Sequence, residues 1–193
     1  MNKQTKRSNR DIVLQTATVL FLEKGYQVTS MDEIVTASKV SKTNIYYHFK
    51  SKEELLAAIV RQMTGTYNQI IEEIAGQTEL TVTERIGRFA EVLSEQQPYS
   101  LGGCPFLTIY VQTSHESDFV REEIARFFQN QIFTLEKLLQ EGIHRQEFKP
   151  GLPVSRIAEL IVSTIEGGLF LQHTHRDSAF LPNLLQTLAY MLK

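Results

Sequence analysis

The sequence contains a single cysteine, Cys104, among its 193 residues, and no tryptophan. One cysteine excludes a framework of internal disulfide bonds and is typical of a protein that works in a reducing cytoplasm. No run of about 18 apolar residues occurs, so the sequence predicts no membrane span. The basic start MNKQTKRSNRD has no apolar stretch behind it, so we do not expect a secretory signal.

Sustained alternation of apolar and polar residues is also missing, as are repeats and low-complexity segments. With 42% hydrophobic and 22% charged residues, the chain has the composition of a globular protein. Its apolar residues recur at helical spacing. We therefore predict an all-α fold of about nine helices, with a three-helix head in residues 1–50 and a larger body in residues 51–193. The longer predicted helices span about 9–24, 51–75, 105–114, 117–146, 154–173 and 178–193, and a further one opens at Thr83-Glu84.

Charge is divided unevenly between the two parts. Residues 1–50 hold eight Lys or Arg against four Asp or Glu, whereas residues 51–193 hold twelve against eighteen. A basic head on an acidic body is typical of a protein that docks on DNA by one end. The arm at residues 2–9 has no apolar residue, and it either adds phosphate contacts or is a terminus without a role.

The segment at residues 29–52 predicts two short helices joined by a tight turn, followed by the start of a third helix. Ser30, or the threonine before it, can cap the first helix, and Ser41 can cap the second. Ile45 and Phe49 lie four residues apart, so they share the inward face of the second helix.

The other positions of this second helix and its flanks carry hydroxyl, amide, phenol and cationic groups. Asn and Thr can read base edges, while Tyr, His and Lys can hold phosphates. The predicted DNA-binding residues are Ser41, Lys42, Thr43, Asn44, Tyr46, Tyr47, His48, Lys50 and Lys52. The arrangement is that of a helix-turn-helix, which places its second helix in the major groove of DNA.

The run TSMDEIVTASKVSKTNIYYHFKSKEELL resembles the DNA-binding motif of the TetR (tetracycline-repressor-like) family, most specifically in its IYYHFKSKEELL part. The resemblance is strong over residues 8–60 and architectural beyond them. It implies a homodimeric transcriptional regulator that binds a palindromic operator in double-stranded DNA. Lys39 stands where the family commonly has a turn glycine, at a cost of about 1 kcal/mol. Thr43 stands where the family often has glycine near the start of the recognition helix.

Aromatic and polar residues are mixed through the predicted body helices, as a cavity for a small-molecule effector requires. The predicted ligand-binding residues are Met63, Tyr67, Phe89, Cys104, Phe106, Tyr110, Phe127 and Glu166. Alternatively, each of these aromatic residues belongs to the hydrophobic core.

Cys104 precedes Pro105, so it occupies the N-cap position of the helix that the proline opens. Backbone N–H groups at a helix N-terminus favour the thiolate and lower the pKa of a thiol. The Gly-Cys start of this helix is also similar to that in one branch of the family, some of whose members sense reactive species. Cys104 is therefore either a sensor of electrophiles or oxidants, or a small buried hydrophobic residue.

The last two predicted helices carry more apolar residues than one core needs, and a two-fold dimer would pair them into a four-helix bundle. The family resemblance implies the same arrangement. The predicted interface residues are Ile157, Leu160, Ile161, Thr164, Gly168, Leu184 and Leu188. The alternative is a monomer in which both helices belong to one core.

No catalytic setting surrounds Cys104 and no histidines are spaced for a metal site, so we predict neither an enzyme nor a bound cofactor. Two other classes stay open. One is an all-α ligand carrier or enzyme whose helix-turn-helix serves another role, which would lack the steep salt dependence of DNA binding. The other is a dimeric scaffold without ligand, whose DNA affinity no effector would change.

Overall fold

The computed structural model describes residues 7–95, 103–113 and 117–193, with only the backbone of residues 94–95. Nine α-helices occupy these residues and no β-strand occurs among them, which confirms the all-α prediction. The helices are α1 (Asn9–Glu23), α2 (Met31–Ser38), α3 (Lys42–His48), α4 (Lys52–Ala75), α5 (Val82–Glu95), α6 (Pro105–Thr113), α7 (Asp118–His144), α8 (Val154–His175) and α9 (Phe180–Leu192). Residues 1–6 of the predicted basic arm, and Ser114 as the predicted end of α6, lie outside the described residues.

Serine side chains fix where five helices begin. The hydroxyls of Ser8, Ser30, Ser41, Ser51 and Ser117 each accept a hydrogen bond from the N–H three residues later. Such a cap satisfies a backbone donor that the first turn leaves unpaired. The capping serines explain why helix starts are the best-predicted boundaries of this chain.

The fifth helix begins at Val82, one residue before the predicted opening. The Thr81 hydroxyl accepts from the Glu84 N–H at 3.2 Å, and the Glu84 carboxylate accepts from the Thr81 N–H at 2.8 Å. This reciprocal pair is a capping box. Two further corrections are that α8 runs on to His175 and that α9 begins at Phe180.

Two residues with positive φ angles shape the head. Gly25, with φ at +108°, follows the end of α1, where glycine commonly ends a helix in a left-handed conformation. Lys39, with φ at +57°, forms the turn between α2 and α3. Lysine therefore adopts the conformation that glycine adopts more readily.

The head and the body share one long element, α4. In the head, α1 packs against α2, α3 and α4, and also against α6 of the body. In the body, α7 packs against α4, α6 and α8, α9 packs against α8, and α5 contacts α4, α7 and α9. The predicted domain boundary after residue 50 stays a prediction. None of the helices in the described ranges is long and apolar enough to cross a membrane.

Candidate nucleic-acid interface and effector site

The α3 helix is held to the head by two side chains. Ile45 and Phe49 are both buried, as their spacing predicts. The guanidinium of Arg10 lies 5.5 Å from the centre of the Phe49 ring, which adds a cation–π contact from α1. The opposite face of α3 is open to solvent, and the Tyr47 side chain is 75% exposed.

Most of the predicted DNA-binding side chains meet on this open face. The exposed residues are Ser41, Lys42, Thr43, Tyr46, Tyr47 and Lys50. His48 is half-buried, and its ring meets the Tyr47 ring edge-on with 5.0 Å between centroids. That contact restricts both rings at the end of the helix. The exposed face therefore carries hydroxyls, phenols and two cations within two helical turns.

Both exposed lysines have replaceable partners. Lys42 Nζ lies 2.7 Å from Asp32 Oδ1, and this hydrogen bond raises the pKa of Lys42. Ion pairs between exposed side chains contribute little to stability. Lys50 Nζ lies 3.4 Å from the carbonyl oxygen of Tyr46. A phosphate can therefore replace either partner at small cost.

Lys52, which is predicted to contact phosphate, binds groups within the head. Its ammonium donates to the carbonyl oxygens of Tyr26 at 2.9 Å, Thr29 at 3.1 Å and Gln27 at 3.3 Å. It also lies 4.3 Å from the centre of the Tyr26 ring. Lys52 therefore ties the start of α4 to the segment between α1 and α2. These contacts stabilise the head, and the phosphate contact of Lys52 stays a prediction.

Asn44 also differs from its predicted role. Its side chain is half-buried, and its Oδ1 is shielded from solvent without a hydrogen-bond partner in the described part of the chain. A base edge can reach this Oδ1 acceptor only after the side chain rotates. Thr43, whose side chain is exposed, is the better candidate for reading bases.

Three rings from α4, α6 and α7 form the centre of the predicted effector site. Phe106 stacks on Phe127 with 4.0 Å between centroids, and Tyr67 meets Phe106 edge-on at 5.1 Å. Burial raises the pKa of Tyr67 to about 12. Phe128, which is not among the predicted ligand-binding residues, lies 5.6 Å from Phe127. We call Tyr67, Phe106, Phe127 and Phe128 the aromatic cluster.

The remaining predicted ligand-binding residues differ in how they relate to this cluster. Met63 and Tyr110 are partly buried and pack against the core. Phe89 of α5 is buried, but no ring contact joins it to the aromatic cluster within the described residues. Rings that stack in this way also fill the core, so both interpretations made from the sequence remain compatible with their positions.

Cys104 does not have the lowered pKa that its N-cap position predicts. Its side chain is only 1% exposed, and burial raises the pKa of the thiol well above its ordinary value, as does the neighbouring Glu166. The backbone N–H groups of Leu107 and Phe106 lower it, as expected at a helix N-terminus, but their effect is smaller. The helix N-terminus therefore does lower the pKa of the thiol, but burial raises it by more.

Glu166 of α8 lies against Cys104. The two side chains share a hydrogen bond, and burial raises the pKa of the Glu166 carboxyl. Its Oε2 is shielded from solvent and has no hydrogen-bond partner in the described ranges. An unpaired buried polar atom costs about 1–3 kcal/mol. Among the predicted ligand-binding residues, Glu166 therefore offers a buried oxygen that can accept a hydrogen bond from a ligand.

The thiol of Cys104 gives a direct test of this environment. We expect Ellman's reagent at pH 7 to modify the folded protein about 100-fold more slowly than the denatured protein, because a buried neutral thiol is a poor nucleophile. Absorbance of the released thionitrobenzoate measures both rates, and Cys104→Ser supplies the baseline. Equal rates in the two states would show an accessible thiolate and contradict the pKa direction given above.

A second connection between body and head runs through α6. Gln112, near the end of α6, accepts a hydrogen bond from the Tyr26 N–H at 2.8 Å through its Oε1. The same amide group lies 3.9 Å from where a side chain at Gly25 would begin. Because α6 begins beside Cys104, this short helix spans from the predicted effector site to the head. The long helix α4 also contacts both the head and the body.

Comparison with known proteins assigns both parts of the chain. The family model described as "Bacterial regulatory proteins, tetR family" matches residues 13–59, which include the whole helix-turn-helix. The model described as "Tetracyclin repressor-like, C-terminal domain" matches residues 82–188, more than half of the chain. The chain belongs to the TetR family. It is a TetR-family transcriptional regulator, as the motif in residues 29–56 indicates.

Curated TetR-family relatives match most of the chain at low identity. The transcriptional repressor DhaR of Mycobacterium sp. (strain GP1) is 23% identical over 168 residues, which cover 87% of this chain and 84% of DhaR. The repressor NemR of Escherichia coli (strain K12) is 24% identical over 144 residues, which cover 74% of this chain and 72% of NemR. These relatives are named as regulators of transcription and not as enzymes.

Solved structures show the same fold. The reduced form of E. coli NemR superposes with a TM-score of 0.83 at 20% identity, covering 96% of this chain and 98% of NemR. A TetR regulator from Legionella pneumophila gives a TM-score of 0.84 at 22% identity, covering 98% of this chain and 100% of the Legionella chain. At these identities the likeness shows the fold alone.

The predicted dimer surface of this TetR-family body needs correction at two positions. Ile161 is buried within the protomer. A Cβ atom at Gly168 would lie 2.6 Å from Leu181 Cδ1, so this glycine allows α9 to approach α8 in the same chain. Both residues therefore face inward. Ile157, Thr164, Leu184 and Leu188 are half-buried, and Leu160 is exposed.

The face of α8 that points to solvent carries the predicted Leu160 together with residues that the prediction did not name. Leu160, Gly167 and Leu171 are exposed and lie on one side of the helix, and Phe170 borders them. A Cβ atom at Gly167 would meet nothing within 4 Å. On α9, Tyr190 and Met191 are exposed. No group of three or more His, Cys, Asp or Glu in the described part of the chain is placed to hold a metal ion.

Proposed function

We propose that this regulator is a homodimeric repressor that binds a palindromic operator in double-stranded DNA and is switched by a small-molecule effector. It acts in the cytoplasm, where the DNA lies. The observation that carries this proposal is the exposed polar face of α3, held in place by the buried Ile45 and Phe49. Backbone contacts come from Tyr47, His48 and Lys50, with Lys42 released from Asp32. Thr43 reads bases, joined by Asn44 after its side chain rotates.

Two substitutions on α3 test this assignment. We expect Tyr47→Ala to weaken binding to every DNA sequence by a similar factor, because a phosphate contact carries no sequence information. Thr43→Ala should instead change the preference at particular base pairs, each worth about 1–3 kcal/mol. Selection from random DNA, followed by titration of the selected and mixed fragments, measures both effects.

The lysines supply a matched control for this experiment. Lys50→Ala should reduce the slope of log affinity against log salt by about one, because one phosphate contact is lost. Lys137→Ala, an exposed lysine on α7 that packs over Phe133, should leave the slope unchanged. If Thr43→Ala and Tyr47→Ala bind like the parent, α3 is not the recognition helix. If the DNA affinity of the parent does not change with salt concentration, the alternative of an all-α ligand carrier is favoured.

For the effector, the aromatic cluster and Glu166 are the best-supported site. Flat apolar rings and one unused carboxyl oxygen combine the apolar lining and single polar group that a ligand site requires. Since burial keeps the Cys104 thiol protonated, an effector that binds without a covalent bond is favoured over one that reacts with a resting thiolate. Cys104→Ser should therefore keep both DNA binding and the effector response.

The signal has two routes to the head. The first is α4, which begins beside α3 and carries Tyr67 of the aromatic cluster. The second is α6, which carries Phe106 at one end and Gln112 at the other. A tilt of either helix changes the distance between the two recognition helices of a dimer. The effector can shift this equilibrium only by its differential affinity for the two shapes, about 1–3 kcal/mol.

A further inference from the structure

A groove of about 810 Å³ lies between α5 and α9. Ligand sites in proteins commonly measure about 300–1,000 Å³. Its walls are mainly apolar and include Ile86, Leu185 and Leu188, with Ile161 of α8. None of the four rings of the aromatic cluster lines it. The groove is therefore separate from the effector site proposed above.

Small residues keep the groove open. A Cβ atom at Gly87 of α5 would meet nothing within 4 Å, and Ala90 and Ala189 also line the walls. The lining of α5 extends from Thr83 to Glu91. The eight helical rises between these two residues correspond to about 12 Å. The length of the groove thus suits an extended apolar chain.

One end of the groove is basic. Lys193 lines it, and Lys149 lies next to it, with its N–H donating to the Leu192 carbonyl oxygen at 3.1 Å. Neither lysine forms an ion pair within the described residues. Thr83 adds a hydroxyl at this end, whereas Glu91 lies at the other end of the α5 lining. An anionic group is therefore favoured at the lysine end.

The two glutamate side chains near the basic end are already engaged. Glu84 accepts hydrogen bonds from the N–H and the hydroxyl of Thr81, both at 2.8 Å. Glu147 accepts from the Val82 N–H at 2.7 Å and pairs with Arg145 at 2.9 Å. These contacts direct both negative charges toward neighbours within the protein. Lys149 and Lys193 are left to attract an external anion.

We propose that this groove binds a medium-chain carboxylic acid, with its chain along α5 and α9 and its carboxylate beside Lys149 and Lys193. The binding is a property of the body and does not depend on DNA or on the proposed effector site. The chemistry that defines the ligand is a linear apolar chain with a single negative head group.

Calorimetric titration of the full chain with decanoate tests the proposal. Gly87→Leu should weaken decanoate binding about tenfold or more, because the leucine side chain occupies the groove. Leucine favours helix more than glycine does, so the variant should fold. Gly65→Leu is the matched control. Gly65 lies on the exposed side of α4, where an added Cβ also meets nothing within 4 Å. The Gly65→Leu variant should therefore bind decanoate as tightly as the parent does.

The head group is tested separately. Decanol and decyltrimethylammonium carry similar chains with a neutral and a positive head, and both should bind more weakly than decanoate. The double variant Lys149→Met and Lys193→Met should remove this preference while the apolar chain still binds. Equal decanoate affinity in the parent, Gly87→Leu and Gly65→Leu would overturn the proposal. So would dissociation of a dimer by Gly87→Leu in sedimentation, which would make the groove a subunit interface.

Discussion

Replacing Arg85 by alanine is expected to lower the free energy of unfolding by about 1–3 kcal/mol. The Arg85 side chain is 0% exposed. Its Nη1 donates to the Ala75 carbonyl oxygen at 2.8 Å and to Glu141 Oε2 at 3.0 Å, and its Nη2 pairs with Glu141 Oε1. This one side chain therefore connects the end of α4, the start of α5 and the end of α7.

Stability is lost because alanine removes a charged donor that serves both the Ala75 carbonyl oxygen and Glu141. Glu141 keeps Arg145 at 3.0 Å, but the Ala75 carbonyl oxygen loses the side-chain hydrogen bond. Urea unfolding at pH 7 measures the change, at one protein concentration so that any dimer contributes equally. Arg156→Ala is the control, since Arg156 forms an exposed pair with Glu159 and should change stability by less than about 1 kcal/mol. Equal losses in the two variants would contradict the argument.

The pH dependence gives this prediction a second readout. The hydrogen bond from Arg85 is the largest cause that holds the pKa of Glu141 below its ordinary value of 4.5, with Arg145 contributing. A lowered folded-state pKa adds stability above the unfolded pKa, and that stability is lost as the pH falls through the folded pKa. The difference between the parent and Arg85→Ala should therefore narrow as the pH is lowered from 7 to below 4.5.

Local rules predicted the helices of this chain well and its polar side chains less well. A serine cap followed by apolar residues at helical spacing identifies α3 and α4 without any knowledge of their neighbours. Lys52 shows the limit of such reasoning. A cation at a helix start near DNA suggests a phosphate contact, but the carbonyl groups that bind it belong to residues 26–29. Only the fold brings them together.

The same limit applies to Cys104 and to α8. The N-cap position does lower the pKa of Cys104, as the rule says. Burial and the neighbouring Glu166, which lies more than sixty residues later in the sequence, raise this pKa by more. On α8, apolar residues occur on two faces, and spacing cannot tell which one points inward. The packing of Leu181 onto Gly168 settles this and leaves the adjacent Gly167 exposed.

Substituting Leu160 and Leu171 together by glutamate is expected to convert the proposed dimer into a monomer. Both leucines lie on the exposed face of α8, where they are 44% and 37% exposed in the single chain. Charges on this face would be buried without partners in a dimer, which is strongly unfavourable. Because neither side chain is buried in the protomer, the substitution should leave the fold intact. Leu188 is unsuitable for this test because it is half-buried and lines the groove beside α5.

Loss of the dimer should also abolish most of the operator affinity. Two recognition helices about 34–36 Å apart enter successive major grooves together, whereas a monomer holds only one half-site. Linked binding of this kind raises affinity about 10²–10⁴-fold, so the double variant should bind the operator at least about 100-fold more weakly. Sedimentation and operator titration measure the two effects. Leu107→Glu is the control, since Leu107 is 38% exposed on α6 and the variant should stay dimeric. A folded double variant that remains dimeric would place the subunit interface away from this face of α8.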